Sequence, residues 1–242
     1  MCPGAPDRVT RNFDGRTIKN SSSSTPHSND GAFGMIGVDF KTLGLTDVSK
    51  IYKIMIGSVV PRPIALISTV NSQGKGNLAP FSFFNGVSSN PPCFMVAIAR
   101  KPDGSKKDTL LNLESNKECV VHIVNEAMAG PMNQTSAPYP YGIDELLEAK
   151  FTALPSVKVK PVRVKESPIH FECKLRDSLD VGGAEAGAST IVVLEIVWAH
   201  FDPRVYKDGK IDIHELAPLS RLAGHSYGKL GDIFDLPRPT VS

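Results

Sequence analysis

The chain has 242 residues, 41% hydrophobic and 21% charged, the balance of a globular protein able to bury a substantial core. Its formal net charge of +2 gives no electrostatic basis for binding nucleic acid or an anionic membrane. No apolar run reaches the roughly 18–20 residues of a membrane span, and the N-terminus lacks the apolar centre of a secretory signal.

Cys2, Cys93, Cys119 and Cys173 are widely spaced, with no C-x-x-C pair. The last three sit in apolar, strand-like runs, where reduced thiols pack as small hydrophobes. Neither a disulfide framework nor a zinc site is indicated, and a cytoplasmic location is expected.

Residues 1–36 are rich in Ser, Asn, Gly and Pro with isolated apolar positions, a composition that does not offset ordering entropy. They are expected to form a disordered tail, followed by one domain over 37–242 that begins to fold near Val38. From Thr46 to Met55, Val48, Ile51, Tyr52 and Met55 recur on one helical face, with Thr46 or Asp47 to cap the helix and Gly57 to end it. Pro61-Arg62-Pro63 then enforces an extended entry into a strand over 64–70. Asn71-Ser72-Gln73-Gly74 is turn chemistry, so a strand over 76–84 is predicted to pair back as a hairpin. Further strands are predicted over 94–99, 119–124, 169–175 and 190–201, and helices over 106–116 and 126–133. Residues 137–142 read as a loop, and the Gly- and Pro-punctuated chain after Pro218 as a segment wrapping the surface. Hairpin-linked strands with few helices and no βαβ rhythm predict a mainly β fold with α decoration, an antiparallel barrel.

Residues 77–92, Asn-Leu-Ala-Pro-Phe-Ser-Phe-Phe-Asn-Gly-Val-Ser-Ser-Asn-Pro-Pro, combine apolar walls with a few polar groups, the makeup of a ligand pocket. The same composition also suits a strand running into a turn. Gly224-His225-Ser226-Tyr227-Gly228 fits G-x-S-x-G, but no buried strand precedes it and no histidine follows Ser226, which excludes a nucleophile elbow. Neither G-x-G-x-x-G after a strand nor a P-loop occurs. His122, His170, His200, His214 and His225 lack metal-ligand spacing, and the first two read as structural residues within strands. Arg100-Lys101-Pro102-Asp103-Gly104-Ser105-Lys106-Lys107-Asp108-Thr109 follows a strand and opens a helix. Helix-terminal N–H groups, Lys107 and the Thr109 hydroxyl would suit a phosphate there, although a solvated basic turn would look the same.

Together, Arg62-Pro63-Ile64-Ala65-Leu66-Ile67-Ser68-Thr69, the stretch from Asn77 to Asn85, Ser89-Asn90-Pro91-Pro92 and Lys107-Asp108-Thr109 resemble the flavin reductase-like, FMN-binding family. The likeness continues in order through residues 133–138, 166–173, 221–227 and 231–239. It implies an FMN-binding split β-barrel, usually a homodimer with flavin near the subunit interface. By resemblance, Ser68, Thr69, Asn77, Ala79, Ser82, Phe83, Phe84 and Asn85 border the flavin ring. Lys107, Asp108 and Thr109 match the block near the ribityl phosphate, while Arg62 is either a phosphate partner or a structural brace. Arg221 and Tyr227 match a segment that closes over the ring or reaches the neighbouring subunit. Ala223 stands where the pattern commonly has Gly, and His122 where it often has Asn.

The implied activity is NAD(P)H-dependent flavin reduction, with hydride from NADH or NADPH delivered to flavin N5 and electrons passed to an acceptor. A separate flavin-dependent monooxygenase is one such partner. The cofactor carries this chemistry, so no side chain is assigned as acid, base or nucleophile. The alternative is an FMN-binding electron carrier without nicotinamide turnover of its own.

Overall fold

The computed structural model describes residues 27–30, 34–44 and 47–241. The chain divides into two units, Met1–Asp47 and Val48–Ser242. In the first, β1 (His27–Asp30) pairs antiparallel with β2 (Met35–Val38), and α1 (Phe40–Gly44) follows. Asp39 caps that helix, accepting from Lys41 N at 2.9 Å and Thr42 Oγ1 at 2.6 Å. The rest of the segment expected to be a tail lies outside the described residues.

The second unit opens with α2 (Val48–Ser58) and the short strand β3 (Arg62–Pro63). Then come β4 (Ala65–Val70), β5 (Gly76–Phe81), β6 (Phe84–Ser89) and β7 (Pro92–Ala99). Helix α3 (Asp108–Asn116) leads to β8 (Glu118–Ile123), and a 3₁₀ turn (Glu126–Met128) runs into α4 (Ala129–Gln134). After α5 (Glu145–Glu148), β9 (Ala153–Leu154) pairs with β10 (Arg163–Val164). The long strands β11 (Ile169–Val181) and β12 (Ser189–Phe201) form a hairpin. Beyond it lie β13 (Tyr206–Lys207), β14 (Lys210–Ile211), α6 (Ile213–Leu216), β15 (Ser220–Arg221) and β16 (Tyr227–Gly228).

Seven strands make one antiparallel sheet in the order β5-β4-β8-β11-β12-β7-β6. Its two edge strands, β5 and β6, are joined in sequence by Ser82 and Phe83 alone. A flat sheet of that size would be roughly 30 Å wide, far beyond the span of two residues. The sheet must therefore roll until its edges meet at this link, up to which the β6–β7 ladder extends, with Ala97 N donating to Phe83 O at 2.9 Å. The result is a split barrel.

Alternation along β4 shows the two sides of this wall. Ala65 and Ile67 face the interior with Phe81, Phe84, Val96, Ile98, Val121, Cys173, Val192 and Leu194. Ile64 and Leu66 face outward into a second apolar cluster with Leu78, Met128, Met132, Leu146, Phe151 and Val164, supplied largely by α4, α5 and β10. Helix α3 packs Leu110 and Leu113 into the interior cluster and plugs one end of the barrel. Cys93, Cys119 and Cys173 are buried free thiols.

The structure departs from the sequence reading in α2 and after β5. Helix α2 runs through Gly57 to Ser58, whose hydroxyl donates to Ile54 O at 2.8 Å. Its periodic face is not a core face: Val48, Tyr52 and Met55 are exposed, and Ile56 is the buried position. The predicted strand over 76–84 breaks at Ser82–Phe83, and the strand after the break continues to Ser89.

Candidate functional site

The residues expected to border a ring lie along β4, β5, the Ser82–Phe83 link and the start of β6. Ala79, Ser82 and Phe83 are partly exposed, Asn85 is exposed, and Phe84 is buried in the barrel core. Two cations sit on the aromatic rings here. Lys107 Nζ lies 5.6 Å from the centroid of Phe81, and Arg62 Cζ lies 5.9 Å from that of Phe83.

Arg62 resolves to a brace. Its Nη1 donates to Ile56 O and Val59 O, both at 2.7 Å, and its Nη2 donates to Leu222 O at 2.9 Å. Its Nε reaches Ser82 Oγ at 3.3 Å. The guanidinium thus ties the end of α2, the Ser82–Phe83 link and the C-terminal loop together, and burial followed by the Arg221 charge lowers its pKa. Ser68 also turns away from the wall, donating to Val162 O at 2.6 Å on the outer face.

Thr69, Asn77 and Thr109 meet in a buried polar network together with Asn112, which the sequence reading did not single out. Asn77 Nδ2 donates to Thr109 Oγ1 at 3.0 Å and to Thr69 Oγ1 at 3.4 Å. Asn112 Nδ2 donates to Thr69 Oγ1 at 3.0 Å, and Tyr141 Oη reaches Asn112 Oδ1 at 3.5 Å from the surface. These bonds pin α3 to β4 and β5. An i, i+3 spacing of Thr109 and Asn112 on one helix was the available signal.

Lys107 is the N-cap residue of α3, with extended backbone and no capping side-chain bond. Burial, then the charge of Lys101, pushes its ammonium below the usual lysine pKa. Among the described residues no carboxylate pairs with it. Lys101 and the Asp108 carboxylate, in contrast, pair with each other at 2.7 Å. Helix polarity adds main-chain N–H groups beside Lys107. Arg100 is also buried: its Nε has no partner, and its Nη2 lies 3.6 Å from Asp180.

Arg221 stacks on Tyr227, with Cζ 4.5 Å from the ring centroid, and donates to Ser226 O at 3.1 Å and to Gly224 O. Tyr227 Oη donates to Asn133 Oδ1 at 3.0 Å. The two residues shape their own loop. Ser226 lies in the turn between β15 and β16, which is not the strand-turn-helix of a nucleophile elbow.

Glu145 is a second residue the sequence did not reveal. It accepts from Leu78 N at 2.9 Å behind the wall, and burial raises its pKa. His122 and His170 are structural. His122 Nδ1 donates to Leu66 O at 2.8 Å while its Nε2 accepts from Val164 N at 2.9 Å. His170 Nε2 donates to Ser167 O at 2.7 Å. A separate apolar cavity of about 250 Å³, lined by Pro61, Pro63, Ile64, Ile123, Val124, Pro218, Leu219 and Ser220, lies at the other end of β4 from Thr69.

A wall of apolar side chains beside a partly buried lysine that has no carboxylate partner among the described residues suits a flat aromatic ligand carrying an anionic group. The fold and this site define a split-barrel cofactor-binding protein. Residues 56–215 match the family described as flavin reductase like domain, and the chain belongs to that flavin-binding family. It is 40% identical over 192 residues to an uncharacterized protein of Halalkalibacterium halodurans, covering 79% of this chain and 92% of that one. Among solved structures, nitrilotriacetate monooxygenase component B from Bacillus cereus superposes with a TM-score of 0.78 at 36% identity, over 84% of this chain and 98% of that one. The 2-nitrobenzoate 2-nitroreductase of Pseudomonas fluorescens superposes with a TM-score of 0.70 at 33% identity, over 81% and 94%.

Proposed function

We propose that the protein is an FMN-binding, NAD(P)H-dependent flavin oxidoreductase that works as a homodimer in the cytoplasm and supplies electrons to a separate acceptor. The observation that carries this reading is Lys107, a partly buried cation beside the Phe81 ring with no carboxylate partner among the described residues. A cation held in this way calls for an anionic ligand. Lys107 and the first N–H groups of α3 would hold the phosphate, and Ala79, Ser82 and Phe83 would border the ring. Asn85 would lie at its exposed margin. Thr69, Asn77 and Thr109 would act from beneath the wall, because their side chains are buried. Bound FMN would supply the redox chemistry, accepting hydride from NADH or NADPH and passing electrons on. The chain's part is to hold the ring against one wall and leave its other side open to the nicotinamide. Without a Rossmann motif, the pyridine nucleotide would be held mainly by stacking. Similarity to a monooxygenase component supports a flavin-dependent monooxygenase as the acceptor.

Anaerobic stopped-flow absorbance of the FMN-loaded protein with NADH and with NADPH tests this reading. Bleaching of the flavin by either nucleotide is the expected result. Stable oxidised flavin with both would leave an electron carrier in its place.

A further inference from the structure

The C-terminal segment does not wrap the surface of its own chain. Lys229 pairs with Glu126 at 2.6 Å, and beyond it residues 230–241 run extended and exposed. Among the described residues, no backbone hydrogen bond involves this segment. Its composition is nevertheless not that of a solvated tail. Phe234 is 82% exposed and Leu236 85%, and Leu230 and Ile233 are exposed as well. Pro237 and Pro239 stiffen the extended form. These four apolar side chains present on the order of 400 Å². That is about half of the roughly 800 Å² each partner contributes to a standard interface.

The barrel offers a matching receptor. The cavity of about 250 Å³ at Pro61, Ile123 and Leu219 is apolar and open, and Val59 and Val60 beside its rim are exposed. The exit of the segment lies next to it, because Ser220, which lines the cavity, pairs with Gly228. A two-fold axis beside that pair would bring two exits together and let each segment cross to the other copy.

We infer that residues 230–241 form an intermolecular arm, and that Phe234 of each copy seats in the Pro61–Ile123–Leu219 cavity of a second copy. This deepens the homodimer part of the proposed function and does not depend on the flavin.

The test uses the chain with Cys2→Ser, Asp235→Cys and Ser220→Cys, which keeps Phe234, treated with a short bis-maleimide and run on a denaturing gel. A band at twice the monomer mass is expected. Cross-linking at monomer mass would mean the segment folds back on its own chain, and no cross-link would mean Phe234 docks elsewhere; both overturn the inference. In parallel, sedimentation equilibrium compares the wild type, Phe234→Ser and a chain ending at Lys229. Both variants are expected to dimerise about tenfold or more weakly, with a wild-type thermal transition as the folding control. A wild-type protein monomeric at all concentrations would remove the homodimer itself. Wild-type dimerisation unchanged in both variants would remove only the arm.

Discussion

Two lysines six positions apart carry the same charge and have different prospects. Lys101 spends its charge on Asp108 at 2.7 Å, whereas Lys107 is partly buried and has no carboxylate partner among the described residues. Lys107→Ala is therefore expected to weaken FMN binding by about tenfold or more, and Lys101→Ala by much less, as read by flavin fluorescence titration. Equal losses would place the phosphate elsewhere. Arg62 differs again, since it serves three carbonyls and a hydroxyl in fixed directions. A lysine cannot reproduce that fork. Arg62→Lys should cost about 2–3 kcal/mol in thermal unfolding and speed hydrogen exchange in the loop at Leu222. The sequence left Arg62 open between phosphate and brace for a physical reason: one of its acceptors, Leu222 O, lies 160 positions away.

At the scale of elements, α3 does two jobs. Leu110 and Leu113 seal the barrel, while Asn112 and Thr109 lock the helix to β4 and β5. Asn112→Leu leaves Thr69 short of a buried donor and removes the acceptor for Tyr141. A loss of about 1–3 kcal/mol in urea unfolding is expected. The lock sets Lys107 relative to the wall, so the same variant should lower the preference for FMN over riboflavin, measured as a ratio of dissociation constants. An unchanged ratio would show that α3 is held by packing alone. Most strands and helices were legible because periodicity and turn residues agree in them, as in Ala65–Val70 and its Asn71–Gly74 turn. The face of α2 was not. Helical periodicity shows that a face wants cover, and it is silent on what supplies the cover. The continuation through Asn85 to Ser89 was hidden for the opposite reason, since an exposed strand lacks an apolar alternation.

Over the whole molecule, acid should be the weak direction. His122 has one ring nitrogen donating and the other accepting, so it is held neutral, and burial lowers its pKa to about 3. Burial likewise lowers His170 to about 4, with Arg163 and His200 adding repulsion. In the unfolded chain both would titrate near the ordinary value of 6.5. Folded values below unfolded ones mean that this stability is complete above pH 6.5 and is lost as pH falls toward 4. Each histidine contributes a slope of up to about 1.4 kcal/mol per pH unit in that window. Urea unfolding at pH 7.5 and pH 5 is expected to show the loss, and His122→Asn should flatten it. The same slope in wild type and variant would assign the acid sensitivity to other groups.

The two-residue link between the edge strands also has a consequence for ligand binding. Ser82 and Phe83 close the hoop of the barrel, and they are also the residues against which a ring would rest. The proposed binding surface thus exists only while the barrel is closed. A molecule seated there is a latch on all seven strands, and its affinity is a measure of how firmly the barrel stays closed.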